Sequence, residues 1–349
     1  MPLYYPVFPI KNLAGRYCLS PFVSIHVQSN GAVNMCTCPI WQPIVAGNIL
    51  KESLGTILSS DLATDIRKSI IDGTYRYCNE KHCPLMLNDS LNTFDTVPDN
   101  VKELLQDPSK YITPYEISLN GDRTCNLSCP SCRTSVINLS KKERESEAFT
   151  ADTLYKNLIA GAGDAPIHLI PGATGEIFAS GLMLSLLEKL NVNELPNLKI
   201  TLHTNGLLAA KKWYKIQHLN SAIKNVTVSI DASTKETYEV VRRGGIWEEL
   251  LENLEFIRNK KAELGFSFNS RLIFQQKNFK EAVDFYHLSK SYNIDRVEYS
   301  RICNRGTFTP KEFLKEDVLQ ATNPERSAAM LVVKDLTKLS DVWFEGDFS

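Results

Sequence analysis

The 349-residue sequence has almost no net charge, −1 from 39 basic and 40 acidic side chains, so it offers no electrostatic footprint for a polyanion. It also lacks any apolar run long enough to span a bilayer. Its opening stretch, MPLYYPVFPIKNLAG, lacks the basic region and apolar core of a secretory leader. These absences predict a cytoplasmic protein with neither a membrane nor a nucleic acid as partner. No internal repeat or low-complexity tract is evident, and 43% apolar with 23% charged residues is ordinary for a soluble globular chain. The length exceeds the point at which one core stops growing, which predicts a barrel-sized domain and a smaller companion. Sulfur is present in quantity. Nine cysteines in a reducing compartment favour metal binding or catalysis over disulfides.

Three of them lie in one stretch, Tyr115–Cys132, YEISLNGDRTCNLSCPSC. A β-rich run through Tyr115, Ile117 and Leu119 enters a polar turn at Asn120–Asp122 and then a loop holding Cys125, Cys129 and Cys132. Thiolates suit iron–sulfur clusters and zinc. The loop supplies three such ligands with no local fourth, which leaves one metal corner open for chemistry. A zinc loop, or three unrelated core thiols, is the competing reading of the same residues.

A second group, Cys18, Cys36, Cys38, Cys78 and Cys83, precedes this stretch. Phe22–Gln28 alternates apolar and polar residues, Asn30-Gly31 is a hairpin turn, and Ala32–Cys36 completes a predicted β-hairpin with Cys18 and Cys36 at neighbouring ends. Ser59 or Ser60 caps a predicted helix over Asp61–Asp72, with Leu62, Ile66 and Ile70 at four-residue spacing and Gly73 as its stop. Residues 88–114, rich in Asn, Asp, Ser and Pro, read as a connection around a short helix at Val101–Leu105. The alternating charges of Lys141–Glu147 read as a solvated surface.

Downstream, strand signals at Ile167–Ile170, Leu198–His203, Val226–Asp231, Phe266–Phe274 and Arg296–Ile302 alternate with helical patterns such as Leu182, Leu186, Leu190 and Trp247, Leu250, Leu251, Leu254. With Tyr115–Asn120 this makes six strands in strict alternation with helices, which predicts an α/β fold with a parallel sheet. Functional groups in such folds gather at the carboxyl ends of the strands.

The Cys-x3-Cys-x2-Cys loop after a first strand resembles the radical S-adenosylmethionine (SAM) enzymes. The resemblance implies a partial (β/α)6 barrel, here over residues 115–320, with a connection at 98–114 and a C-terminal extension at 321–349. It also implies that Cys125, Cys129 and Cys132 hold a 4Fe–4S cluster, which reductively cleaves SAM to a 5′-deoxyadenosyl radical that abstracts hydrogen from a substrate. Ser131 departs from the aromatic residue common before the last cysteine. The turn PGATGEIF resembles the family's Gly-Gly-Glu motif, with Ala173 and Thr174 interposed, and implies SAM contacts at Gly175 and Glu176. The same likeness implies SAM-pocket roles for Thr204 and Asn205, for Ser229 and Asp231, for Arg242 on the SAM carboxylate with Arg243 as alternate, and for Gln275 on SAM or substrate.

Cys18-x12-Gly31-x4-Cys36, the GNI of Gly47–Ile49 and the later cysteine pair resemble the SPASM and twitch auxiliary-cluster regions, placed here in residues 1–97, ahead of the barrel rather than after it. This implies one auxiliary 4Fe–4S cluster on Cys18, Cys36, Cys78 and Cys83, with Cys38 as alternate, against structural zinc with His82. An auxiliary cluster fits oxidation or crosslinking of a peptide, protein or small-molecule substrate, with a flavodoxin or ferredoxin as electron donor. Cys303, after the sixth strand, fits a hydrogen donor in a redox-neutral epimerase. A zinc-stabilised binding or scaffold protein is the non-enzymatic alternative. A nucleic-acid methylthiolation or methylation enzyme is disfavoured for want of a basic patch.

Overall fold

Asn30-Gly31 turns the chain as its sequence requires. Gly31 has a φ of +82°, and a Cβ there would stand 2.6 Å from both Asn48 Oδ1 and Leu50 Cγ, so only glycine fits. In this computed structural model, residues 13–87, 89–111, 114–120, 122–159, 163–172 and 175–348 are described. Residues 1–12, part of the stretch read for a leader, and Ala173 and Thr174 of the PGATGEIF turn lie outside them. The chain divides into two compact units. One comprises Met1–Asp122, Glu145–Ala173 and Ser185–Lys199, the other Arg123–Arg144, Thr174–Leu184 and Ile200–Ser349.

In the first unit the strands are β1 (Arg16–Tyr17), β2 (Ser24–Val27), β3 (Ala32–Asn34), β4 (Gly47–Asn48), β5 (Asn92–Thr93), β6 (Glu116–Leu119) and β7 (Ile167–Pro171). The predicted hairpin is β2 paired antiparallel with β3, extended by β4. It starts two residues later than its alternation indicates. Pro21, in the first turn of the short helix Ser20–Val23, favours helical backbone there, so Phe22 and Val23 are helical. A longer-range pairing also appears. β2 runs parallel to β6, Ile25 opposite Ile117, and β6 runs parallel to β7.

The helix Asp61–Ile71 is capped by Ser60, whose Oγ accepts from Ala63 N at 3.2 Å, and it buries Ala63, Ile66 and Ile70. Ser60→Ala removes that acceptor and is expected to destabilise the first unit by about 1 kcal/mol, read as a lower urea midpoint; an unchanged midpoint would mean another group caps the helix. Its neighbouring core gathers Phe22, Ile70 and Tyr75 with Val101, Leu104 and Leu105 from the stretch read as a connection.

The second unit contains β8 (Leu198–Thr204) from Ile200 onward, β9 (Ile223–Ser229), β10 (Ser267–Phe274), β11 (Arg296–Arg301) and β12 (Val342–Glu345). Each pairs in parallel with the next. The expected alternation holds, because Trp247–Leu264 and Ala282–Ser291 return the chain from β9 to β10 and from β10 to β11. β12, outside the six expected strands, adds Val342 opposite Val297. Val226, Phe268, Leu272 and Tyr299 fill the core from alternate positions of these strands. The fold is α/β with a parallel sheet. Among the described residues no helix is long and apolar enough to cross a membrane.

Candidate functional sites

In the second unit the cysteine loop is curled on itself. Cys125 N donates to Ile137 O at 3.4 Å, and Cys132 N and Arg133 N both donate to Cys129 O at 2.9 Å. Arg243 clamps the loop from outside: its carbonyl accepts from Ser128 N, its Nε donates to Ser128 Oγ, and its Nη2 donates to Thr134 O, each at 3.0 Å. These bonds present the three sulfurs from one short turn.

Each sulfur faces an N–H group. Leu127 N lies 3.5 Å and Asn205 Nδ2 3.9 Å from Cys125 Sγ, Arg242 Nη1 lies 3.9 Å from Cys129 Sγ, and Arg133 Nη2 lies 3.5 Å from Cys132 Sγ. Burial pushes the Cys125 and Cys129 thiols up, while Arg133 beside the first and Arg242 beside the second favour thiolate. Such donors suit sulfurs that carry negative charge when they ligate metal. The donor set therefore fits an iron–sulfur group.

Glu176 is 2% exposed and hydrogen-bonded by three protein groups. Its carboxylate accepts from Thr204 Oγ1 and Asn205 N, both at 2.6 Å, and from Phe178 N at 3.2 Å. Burial pushes its pKa up, and these three bonds oppose that. Its own N–H donates to Thr124 O at 2.9 Å, next to the first cysteine. Glu176 thus ties the turn after β7 to the end of β8 and holds Asn205, which also bonds Asn126 Oδ1 at 2.9 Å. Gly175 is half-buried at the start of this turn.

Asp231 follows β9 with a φ of +68°, left-handed backbone that a non-glycine residue adopts at a cost. Its carboxylate accepts from Ile273 N at 2.7 Å and lies 2.9 Å from Arg242 Nε, while Asn278 Nδ2 donates to its carbonyl at 2.8 Å. Burial pushes the Asp231 carboxyl up and Arg242 opposes it. Burial likewise works against the Arg242 charge, but Asp231 and Cys129 outweigh it and raise the guanidinium pKa. Arg242 therefore bridges a buried carboxylate and a cysteine sulfur. Gln275 is buried beside this corner, its Nε2 3.4 Å from Ile273 O, and Ser229 is half-buried at the end of β9. Cys303 stands two residues beyond β11 and is exposed.

Sequence reasoning missed Arg133, Ser128 and Asn126 and ranked Arg243 only as an alternate. The run DRTCNLSCPSCR contains the first three, so polar and basic residues interleaved with the cysteines were the available signal.

The first unit holds the other thiols. Cys18, Cys36, Cys78 and Cys83 line one small, partly open cavity. Burial pushes the Cys18, Cys36 and Cys78 thiols up, that of Cys36 to about 12, and each is raised further by ionisation of its neighbours. Among the described residues no three His, Cys, Asp or Glu side chains are grouped around a single ion position. Four thiols lining one cavity are nonetheless a donor set that suits an iron–sulfur group. Cys38 is half-buried and His82 exposed, and neither is among the residues lining the cavity.

Two family models match the chain. The radical SAM superfamily covers residues 120–289, and SPASM, an iron–sulfur cluster-binding domain, covers residues 18–84. No curated protein matches. Among solved structures, Streptococcus suis SuiB bound to precursor peptide SuiA is similar at 16% identity and a TM-score of 0.45, over 82% of this chain and 63% of that one. Native anSMEcpe with bound AdoMet is similar at 17% identity and a TM-score of 0.36, over 56% and 57%. Methylornithine synthase PylB is similar at 13% identity and 0.38, over 65% and 70%. The chain thus spans under two thirds of the SuiB chain's length.

Proposed function

Because this chain carries a radical SAM domain with an iron–sulfur cluster-binding SPASM domain on its N-terminal side, we propose that it is an enzyme oxidising or crosslinking a peptide or protein side chain by hydrogen abstraction. The two domains imply a 4Fe–4S cluster with SAM at the first site and auxiliary iron–sulfur chemistry at the second. The observation that carries the reading is the loop of three cysteines whose sulfurs each meet an N–H donor.

In this reading Cys125, Cys129 and Cys132 hold the cluster by three corners. Once bound, it supplies the electron that cleaves SAM to a 5′-deoxyadenosyl radical. The protein's own groups prepare the site for this. Asn205, Arg242 and Arg133 offset negative charge on the sulfurs. Glu176 and Asp231 act as positioning residues, the first holding Thr204 and Asn205, the second aiming Arg242, while Gly175, Ser229 and Gln275 border the SAM position. Cys18, Cys36, Cys78 and Cys83 hold the auxiliary cluster. That second redox centre favours net oxidation, since an electron left on the substrate needs an acceptor. A small flavodoxin- or ferredoxin-type protein supplies the first electron.

Anaerobic reconstitution tests the reading. Two clusters correspond to about eight irons per chain, and the dithionite-reduced protein should release 5′-deoxyadenosine from SAM even without substrate. Stoichiometric zinc without iron would sink the enzyme reading. With a candidate peptide, mass loss in hydrogen supports oxidation. Solvent deuterium entering an otherwise unchanged product, and lost in Cys303→Ala, supports epimerisation instead.

A further inference from the structure

The sheet of the first unit has two unlike faces. Ile25, Val27, Val33, Ile117, Leu119 and Leu169 alternate onto one of them, and each is at most 2% exposed. The other face is polar. Gln28, one residue past β2, donates from Nε2 to Asn34 Oδ1 at 2.7 Å, Ser24 on β2 bonds the Glu116 carboxylate on β6, and His168 Nδ1 on β7 lies 4.0 Å from Glu116 Oε2. His26, between Ser24 and Gln28, shares this face, opposite Asn34 on one side and Ser118 on the other.

Polar faces of sheets ordinarily meet water, yet Ser24, His26, Asn34 and Ser118 are each 7% exposed or less. Buried polar atoms are costly unless bonded. Asn34 is satisfied, since its Nδ2 also donates to Gln42 O at 3.1 Å and Ile44 O at 2.9 Å. His26 is not. Its Nδ1 lies 3.2 Å from Thr37 O, and because a carbonyl only accepts, the ring proton is on Nδ1 and Nε2 is a bare lone pair. Among the described residues Nε2 has no hydrogen-bond partner, and neither has the buried Oδ1 of Asn120. Asn120 N donates to Val27 O at 2.7 Å, so Asn120 continues the alternation of β6 and stands on the face of Ser118 and His26. Two acceptors on neighbouring strands thus lack donors.

Their place in the sheet says what meets them. β2, β6 and β7 are parallel, so their carboxyl ends share one edge, where parallel sheets hold their ligands. In sequence β6 runs on into the cysteine loop, with Cys125 five residues after Asn120, and β7 runs on into Gly175 and Glu176. We infer that this polar face is a substrate-binding surface on which His26 Nε2 and Asn120 Oδ1 accept hydrogen bonds from N–H groups of a peptide. The inference rests on the peptide reading above. Both acceptors are neutral, which suits amide donors. Paired strands lie about 4.8 Å apart and two residues advance a strand by about 6.6 Å, so the two Cα atoms are about 8 Å apart, a span that one extended peptide bridges and a single small ion does not.

The test reads the unsubstituted, reconstituted full chain grown with side-chain 15N-histidine. His26 should show a protonated Nδ1 and a bare Nε2, its signal identified by loss in His26→Asn, a variant that keeps a donor for Thr37 O and has no atom at the Nε2 position. N-methylacetamide, which carries one peptide N–H, should move the Nε2 signal saturably. N,N-dimethylacetamide, which carries none, should not. A proton on Nε2, a signal that N-methylacetamide leaves in place, or equal shifts with both amides overturns the inference. With a peptide that the enzyme converts, His26→Asn and Asn120→Ala should each raise KM about tenfold, the scale of one lost hydrogen bond, and an unchanged KM in both folded variants also overturns it. Absence of 5′-deoxyadenosine would instead sink the enzyme reading, and the amide titration, which needs no SAM cleavage, keeps the two failures apart.

Discussion

Cys129→Ala should abolish reductive cleavage of SAM, lowering 5′-deoxyadenosine release by about a thousandfold or more, equivalent to at least about 4 kcal/mol in barrier. The loop has three sulfurs and no spare, so in the proposed reading losing one leaves the cluster with two protein ligands. Iron should fall by about four per chain, while the four thiols of the first unit keep theirs. Cys125→Ala and Cys132→Ala should behave alike, because in the proposed reading each sulfur takes its own corner, and each has its own N–H donor. The two measurements together are decisive. Retained 5′-deoxyadenosine with unchanged iron would mean that the loop does not hold the reactive centre.

Asp231→Ala should destabilise the second unit by about 3–5 kcal/mol, because it strands a buried guanidinium without its counter-charge. The side chains of Asp231 and Arg242 are only 2% and 12% exposed, so water cannot take the carboxylate's place. The lost Ile273 N–H bond adds to the cost. The converse change, Arg242→Met, should cost less at low pH than at high pH. Burial already raises the Asp231 pKa above that of an unfolded aspartate, and removing the cation raises it further. The native state then holds a proton that the unfolded chain has released, so stability falls as pH rises above the unfolded carboxyl range. Urea denaturation of both variants at pH 5 and pH 8 checks the sign. Equal losses at both values would show that the pair is not ionised as described.

The pair also links stability to chemistry. Asp231 holds Arg242, and Arg242 faces Cys129 Sγ. An Arg242 variant that folds normally should still change the cluster's spectroscopic response to SAM, which separates its role at the sulfur from its role in packing.

Local signals were legible where local chemistry sets the outcome. Ser60 caps its helix because its hydroxyl reaches an amide three residues on, and Gly31 turns the hairpin because no side chain fits there. The alternation of strands and helices likewise gave the parallel sheet. What escaped were contacts with partners far along the chain. β12 is short and half-exposed, and only its place beside β11 makes it a strand. Glu176 read as a SAM contact, and its bonds from Thr204 and Asn205, 28 and 29 residues on, had no signal in the sequence.

The sequence by itself determined which residues can ligate metal and the α/β class of the fold, because cysteine spacing and hydrophobic period are properties of neighbours along the chain. Only the tertiary structure decided which donor faces which sulfur, which carboxylates are already taken, and which of the five early thiols share a cavity. Those depend on burial, where an unpaired charge or amide is costly, and burial is set by segments that meet only after folding.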